Sequence, residues 1–137
     1  VLYIRLLLEP ELARMAAEAI TPEQLDVLLD CMDKMETAVT NEDRPAWSKA
    51  DTVWHEILST ACPNHLLGEL VLQMRNRIHR YSSIDHQLKI EQLTMGTAEH
   101  RAVVNAIVDH NAPAAETAMR EHLENLRSNL FSQLIYA

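Results

Sequence analysis

The residues with the most chemistry in them are Asp51 and His55, one helical turn apart. Residues four apart share a helix face, so the carboxylate and the imidazole point the same way. Trp47, Ala50, Trp54, Leu58 and Ala61 recur around them at helical spacing, which makes that face the apolar, core-facing one. A carboxylate there is costly unless it is paired or bound to a metal. His100 and His122 sit in the same way on the apolar stripes of two later helices. A lone histidine in such a place is ordinarily a hydrogen-bonded core residue. Three of them with an aspartate, on the inner stripes of three helices, predict one buried site for a single divalent ion. Neutral imidazoles and a carboxylate suit Zn, Ni, Fe or Mn. Three or four protein ligands on an octahedral ion leave positions for water or a ligand oxygen.

Four more polar residues are candidates for contact with such a ligand. Arg5 falls on the inner stripe of the first helix and needs an anion, either a core carboxylate or the carboxylate of a bound molecule. Asn125 lies about one turn beyond His122, where it would line the same cavity or an exposed flank. Arg75 and Arg77 read as a solvated face, with the alternative that one turns into the pocket. His65 and His110 fall at helix ends, where a cation is favourable, and His79 and His86 read as solvated. No catalytic residue is expected. The chain has no His-Glu-x-x-His and no Glu-x-x-His. Glu56, Glu99 and Glu121 each adjoin a candidate ligand histidine, which turns them about a hundred degrees around the helix. That is a poor place for a base, as a metal-dependent hydrolase would need.

These residues must be positioned by helices. The first is expected from near Val1 to about Ala19, with Leu8, Leu12, Met15 and Ala19 as its stripe. Thr21-Pro22-Glu23-Gln24 marks the next start, with Thr21 as cap, Pro22 in the first helical position and Gln24 completing a capping box. That helix carries Leu25, Leu28, Leu29, Met32, Met35 and Val39, and Asn41 to Pro45 breaks it. Asp43 caps the third helix, and Cys62-Pro63-Asn64 ends it, with Asn64 as the next cap. The fourth places Leu66, Leu67, Leu70, Val71, Met74, Ile78 and Tyr81 on one side and Arg75, Arg77, His79 and Arg80 on the other. From Ser82 to Gly96 the pattern weakens into a short helix or an irregular link. Thr97 is expected to cap a helix with His100, Val103, Val104, Ile107 and Val108 inward. Asp109-His110-Asn111 turns the chain, and Pro113 opens a last helix with Ala115, Ala118, Met119, His122, Leu123, Leu126 and Leu130 inward. No strand, repeat or low-complexity segment is evident.

The totals agree with a single all-α domain. The chain has 137 residues and only two glycines, and a domain of this size buries roughly two thirds of its unfolded surface without needing a disulfide. Cys31 and Cys62 read as reduced core thiols in a cytoplasmic protein. The net charge of −8 and the lack of a basic cluster argue against this chain itself holding nucleic acid or an anionic membrane. No apolar run is long enough to span a bilayer. The chain opens inside an amphipathic segment without an initiator Met, which suggests an excised domain whose upstream part is missing.

Arg5-Leu6-Leu7-Leu8-Glu9-Pro10-Glu11-Leu12-Ala13 resembles the opening helix of the FCD effector-binding domain of GntR-type bacterial transcription regulators, in a FadR/VanR-like subfamily. Asp51-x-x-x-His55, Glu99-His100-Arg101 and Met119-Arg120-Glu121-His122-Leu123 resemble that family's metal motif in order and separation, and Asn64-His65-Leu66-Leu67 resembles the start of its fourth helix. The resemblance covers essentially all of residues 1–137. It implies an antiparallel bundle of six to seven helices with a buried metal and ligand cavity, in which Asp51, His55, His100 and His122 hold one divalent ion. A small organic acid would bind on or beside the ion. The domain would form a homodimer, with the first and fourth helices as candidate surfaces. It would report occupancy to an N-terminal winged helix-turn-helix, the only part to touch DNA. The other readings are a metal-dependent hydrolase and a structural dimerisation module with a structural metal.

Overall fold

The computed structural model describes the backbone of residues 2–81 and 88–136, and the side chains of 2–77 and 88–130. The expectations for Ile78, His79, Arg80, Tyr81 and His86, and for the first part of the Ser82–Gly96 link, lie outside the described side chains or residues. Six helices account for nearly all of the rest: α1 (Leu2–Ala19), α2 (Pro22–Thr40), α3 (Arg44–Ala61), α4 (His65–Tyr81), α5 (Ile90–Val108) and α6 (Ala112–Tyr136). The chain is an all-α bundle.

Local chemistry sets the boundaries. Thr21 and Gln24 form a reciprocal capping box: the Gln24 N–H donates to Thr21 Oγ1 at 3.2 Å and the Thr21 N–H to Gln24 Oε1 at 3.0 Å. Asp43, Asn64 and Asn111 each accept from the backbone N–H three residues on, at 3.1, 3.1 and 3.2 Å. His110 ends the turn after α5 with φ 51°, the left-handed conformation common just past a helix end, and its Nδ1 bonds the Ala17 carbonyl at 2.9 Å.

One start differs from expectation. Thr97 does not cap a helix; it is buried inside α5, which begins seven residues earlier at Ile90. Its hydroxyl donates to the Leu93 carbonyl at 2.7 Å and accepts from Trp47 Nε1 at 2.9 Å. A threonine bonding one turn back is compatible with a helix interior, and here it also satisfies the indole of α3.

α2 packs on α3 and α5, α5 on α6, and α3 on α4; α1 lies against α3, α4, α5 and α6. The core is one cluster that includes Leu12, Ala16, Leu28, Met32, Met35, Trp54, Leu58, Val71, Val104, Ile107, Met119 and Leu123. The stripe of α1 is rotated from the expected one. Arg5, Glu9, Leu12, Ala13, Ala16 and Ala17 are buried, while Leu8 and Met15 are half-buried and Ala19 is exposed. Val108, expected inward, is exposed, as are Leu66 and Leu70 on α4. Cys31 and Cys62 are free, buried thiols. Among the described residues, no helix is long and apolar enough to cross a membrane.

Candidate metal centre

α3, α5 and α6 bring Asp51, His55, His100 and His122 to the wall of one pocket, of about 60 Å³. All four are buried. Asp51 Oδ1 lies 2.9 Å from His100 Nε2 and 3.2 Å from His55 Nε2. Ligand atoms of Asp51, His55 and His100 all lie within 4.8 Å of one another. His122 stands beside this trio: its ring and that of His100 meet edge-on with centroids 4.5 Å apart. Trp54 packs edge-on against His55 and His100, at 4.7 and 4.5 Å, and fixes both rings from the core side.

The protons expose a conflict. His100 Nδ1 lies 2.6 Å from the Gly96 carbonyl, so that nitrogen carries the hydrogen. In the neutral ring Nε2 is then a lone pair facing a carboxylate oxygen. His55 Nε2 faces the same oxygen, and its buried Nδ1 has no hydrogen-bond partner. Glu9 Oε1 is 3.6 Å from that nitrogen, beyond hydrogen-bond length. A second ring proton, or a cation between oxygen and nitrogens, resolves such a face-off.

The donor set fits a divalent ion. With bonds of about 2.1 Å, ligand atoms 90° apart stand about 3.0 Å from each other and tetrahedral ones about 3.4 Å. Of the two distances, 3.2 Å falls in that range and 2.9 Å lies just below its lower end. Burial alone would raise the Asp51 pKa, but His55, His100 and Arg75 together hold it well below the ordinary aspartate value. Burial, helped by Arg75, pushes the His55 pKa down to about 3, so its ring is neutral near pH 7. Burial and His100 likewise lower that of His122. An ionised carboxylate and neutral imidazoles are the protonation states a metal requires.

The other sequence candidates separate clearly. Arg5 and Arg75 both line the pocket. Arg75 Nη2 donates to Asp51 Oδ2 at 3.2 Å. Arg5 is held by Glu9, at 2.5 and 3.2 Å. Arg77 is not brought to the pocket: two residues beyond Arg75, it points to the other side of α4 and is exposed. Asn125 is exposed too and does not line the pocket; its amide donates to Glu99 Oε2 at 2.5 Å. His65 is exposed at the start of α4.

Two carboxylates hold places at the site that the sequence does not assign them. Glu9 is wholly buried and joins Arg5 to the His55 side of the site; its place one turn after Arg5 was the available signal. Glu99 does turn away from His100, as its position requires, but it reaches α6 and accepts from His122 Nδ1 at 2.8 Å. Apolar Trp47, Leu88, Leu93 and Leu126 complete the walls.

The described residues thus form an all-α bundle in which a buried histidine and aspartate cluster stands at the wall of a pocket. The family model of the FCD domain matches residues 1–125, and this chain belongs to that family. Relatives of the chain are named as transcriptional regulators. It is 28% identical over 118 residues to the galactonate operon transcriptional repressor of Escherichia coli K12, covering 84% of this chain and 49% of the repressor. It is 29% identical over 136 residues to the HTH-type transcriptional regulator LutR of Bacillus subtilis, covering 94% and 60%. It is 26% identical over 124 residues to the HTH-type transcriptional repressor NanR of Escherichia coli K12, covering 90% and 46%. A solved GntR of Streptococcus agalactiae superposes with a TM-score of 0.79 at 29% identity, over 93% of this chain and 56% of that one. The chain thus spans about half the length of the curated relatives it matches.

Proposed function

We propose that this domain senses a small organic acid beside a divalent ion held by Asp51, His55, His100 and His122. It would pass that occupancy to a DNA-binding domain of the same cytoplasmic regulator. The observation that carries the reading is the arrangement at Asp51 Oδ1. Two buried imidazole nitrogens stand 2.9 and 3.2 Å from one carboxylate oxygen, with His100 already using its other nitrogen on a carbonyl. When bound, the ion would supply a positive centre on which a ligand carboxylate completes the coordination shell. Arg5 and Arg75 add positive charge at the pocket wall, where burial strengthens pairing with an anion. Trp47, Leu88, Leu93 and Leu126 shield that pairing from water.

The pocket volume suits an ion with a few coordinated atoms, since a single water needs roughly 10–15 Å³ of such space. A purely structural ion would need no such space, which favours a sensor over a structural module. Among the relatives, one is named for the galactonate operon, and galactonate is a hydroxylated carboxylate. A small hydroxy acid, which a pocket of this volume can hold beside an ion, is therefore the ligand class we favour, with larger sugar acids as the comparison. A homodimer completes the proposal, because DNA half-sites repeat with a protein's two-fold symmetry.

Metal analysis of the wild type against His55→Ala and His122→Ala tests the ligand set; large losses of bound ion are expected in both, and unchanged occupancy would remove the assignment. Calorimetry with a panel of hydroxy and sugar acids tests the rest. Binding to metal-loaded protein but not to stripped, folded protein is expected, with weaker binding by Arg5→Ala. Equal binding to both forms would leave the ion no part in recognition.

A further inference from the structure

Glu99 lies at the wall of the pocket, and both its oxygens are held. Oε1 accepts from His122 Nδ1 at 2.8 Å, and Oε2 accepts from the Asn125 amide at 2.5 Å. Asn125 and His122 are three residues apart on α6, so they share a face toward α5. Asn125 itself is exposed and does not reach the pocket. It therefore fixes the carboxylate, and the carboxylate fixes the ring.

The consequence is chemical. A neutral imidazole has one N–H. With Nδ1–H committed to Glu99, Nε2 must be the lone pair. Without Glu99, His122 could carry its proton on Nε2 and would then present a donor where a ligand atom is needed. His100 is set the same way by the Gly96 carbonyl, but a carbonyl within one helix is built into the fold, whereas the Glu99 contact spans two helices.

We infer that Glu99, clamped by Asn125, is a positioning residue that fixes the tautomer of His122 and so brings it in as the fourth ligand beside Asp51, His55 and His100. The metal half of this inference rests on the function proposed above; the tautomer half does not. Outer carboxylates on metal-bound histidines set ring orientation and basicity, and their loss commonly costs 10–100-fold in metal affinity.

The test uses metal-free protein labelled with ¹⁵N-histidine and, separately, titration with Zn²⁺ alone. In the wild type the His122 ring should show the Nδ1–H tautomer. Glu99→Ala should shift it toward Nε2–H and weaken Zn²⁺ binding by roughly tenfold or more. Adding Glu99→Ala to His122→Ala should cost nothing further. Asn125→Ala, a surface change that spares folding, should give a smaller loss in the same direction, and Glu99→Gln, which keeps an acceptor oxygen, should retain the tautomer. If the wild-type ring carries its proton on Nε2, or if Glu99→Ala and Asn125→Ala leave both tautomer and affinity unchanged, the inference is overturned. If the tautomer responds as described but the wild type binds no Zn²⁺, the clamp holds and the metal reading fails.

Discussion

Arg5 and Glu9, one turn apart on α1, pair inside the core rather than at its surface: Nε donates to Oε2 at 2.5 Å and Nη2 to Oε1 at 3.2 Å, with Glu9 wholly inaccessible. The guanidinium that a ligand carboxylate would seek is thus shared with a resident carboxylate. Removing one member of such a pair leaves a buried charge uncompensated, which costs about 3–5 kcal/mol. Glu9→Ala should therefore lose about 3 kcal/mol or more in urea unfolding. The double replacement Arg5→Met with Glu9→Leu should recover most of that loss, because apolar residues can replace a buried pair at little cost. Equal destabilisation by the single and double variants would mean that Glu9 matters by packing alone.

The same buried groups predict acid lability of metal-free protein. His55 is held down to about 3 by burial and Arg75, against 6.5 when free. The unfolded chain therefore takes up a proton below 6.5 that the folded chain refuses, and stability falls as pH drops toward 3. Burial would raise the Glu9 pKa, but Arg5 draws it down to about 2 from 4.5. Its contribution is full above 4.5 and is lost as pH falls toward 2. Both slopes have the same sign. Urea midpoints should fall steadily from about pH 7 to about pH 4, and the fall should be shallower in His55→Ala. A flat profile over this range would contradict a neutral buried His55.

Much of this was legible in the sequence because short-range rules decided it. Thr21 with Gln24, Asp43 and Asn64 act through bonds to the next turn, and the stripe of α3 reads directly from Trp47 to Ala61. What escaped depends on contacts between helices. Thr97 carries the residue type of a cap, but inside α5 its hydroxyl bonds back to the Leu93 carbonyl and accepts from the indole of Trp47, fifty residues away. The rotation of α1 buries Glu9, which apolar patterning places outward, against Arg5. Glu99 was read against its own helix, while its partner lies on the next.

The homodimer proposed above has a candidate face. Tyr3, Ile4 and Leu7 on α1 and Leu66 and Leu70 on α4 are exposed large apolar side chains on two helices that pack together. Apolar exposure of this kind is often an interaction surface. Leu7→Glu combined with Leu66→Glu should turn a sedimenting dimer into a monomer while leaving helicity intact. A dimer that survives both charges would have to use another face.

The two glycines, both inside helices, should respond oppositely to the same methyl group. Gly68 on α4 lies where α4 crosses α3, and a Cβ there would collide with the Ser59 carbonyl oxygen and stand 3.3 Å from the carbonyl carbon. The obstacle is backbone, which cannot rotate away, so the helices must separate. Overpacking of this kind costs about 1–3 kcal/mol, more than the roughly 1 kcal/mol that alanine gains over glycine in a helix interior. At Gly96 on α5 the nearest atom to an added Cβ is His122 Cε1, at 3.9 Å, an ordinary contact. There the propensity gain stands alone, and Gly96→Ala should stabilise the metal-free protein by about 0.5–1 kcal/mol. The methyl would nevertheless sit at the pocket wall against His122, so ligand binding should weaken although the fold is firmer. Urea unfolding of both variants, with calorimetry on Gly96→Ala, separates the two effects. If Gly68→Ala proves neutral, the close crossing of α3 and α4 is not a constraint on the fold.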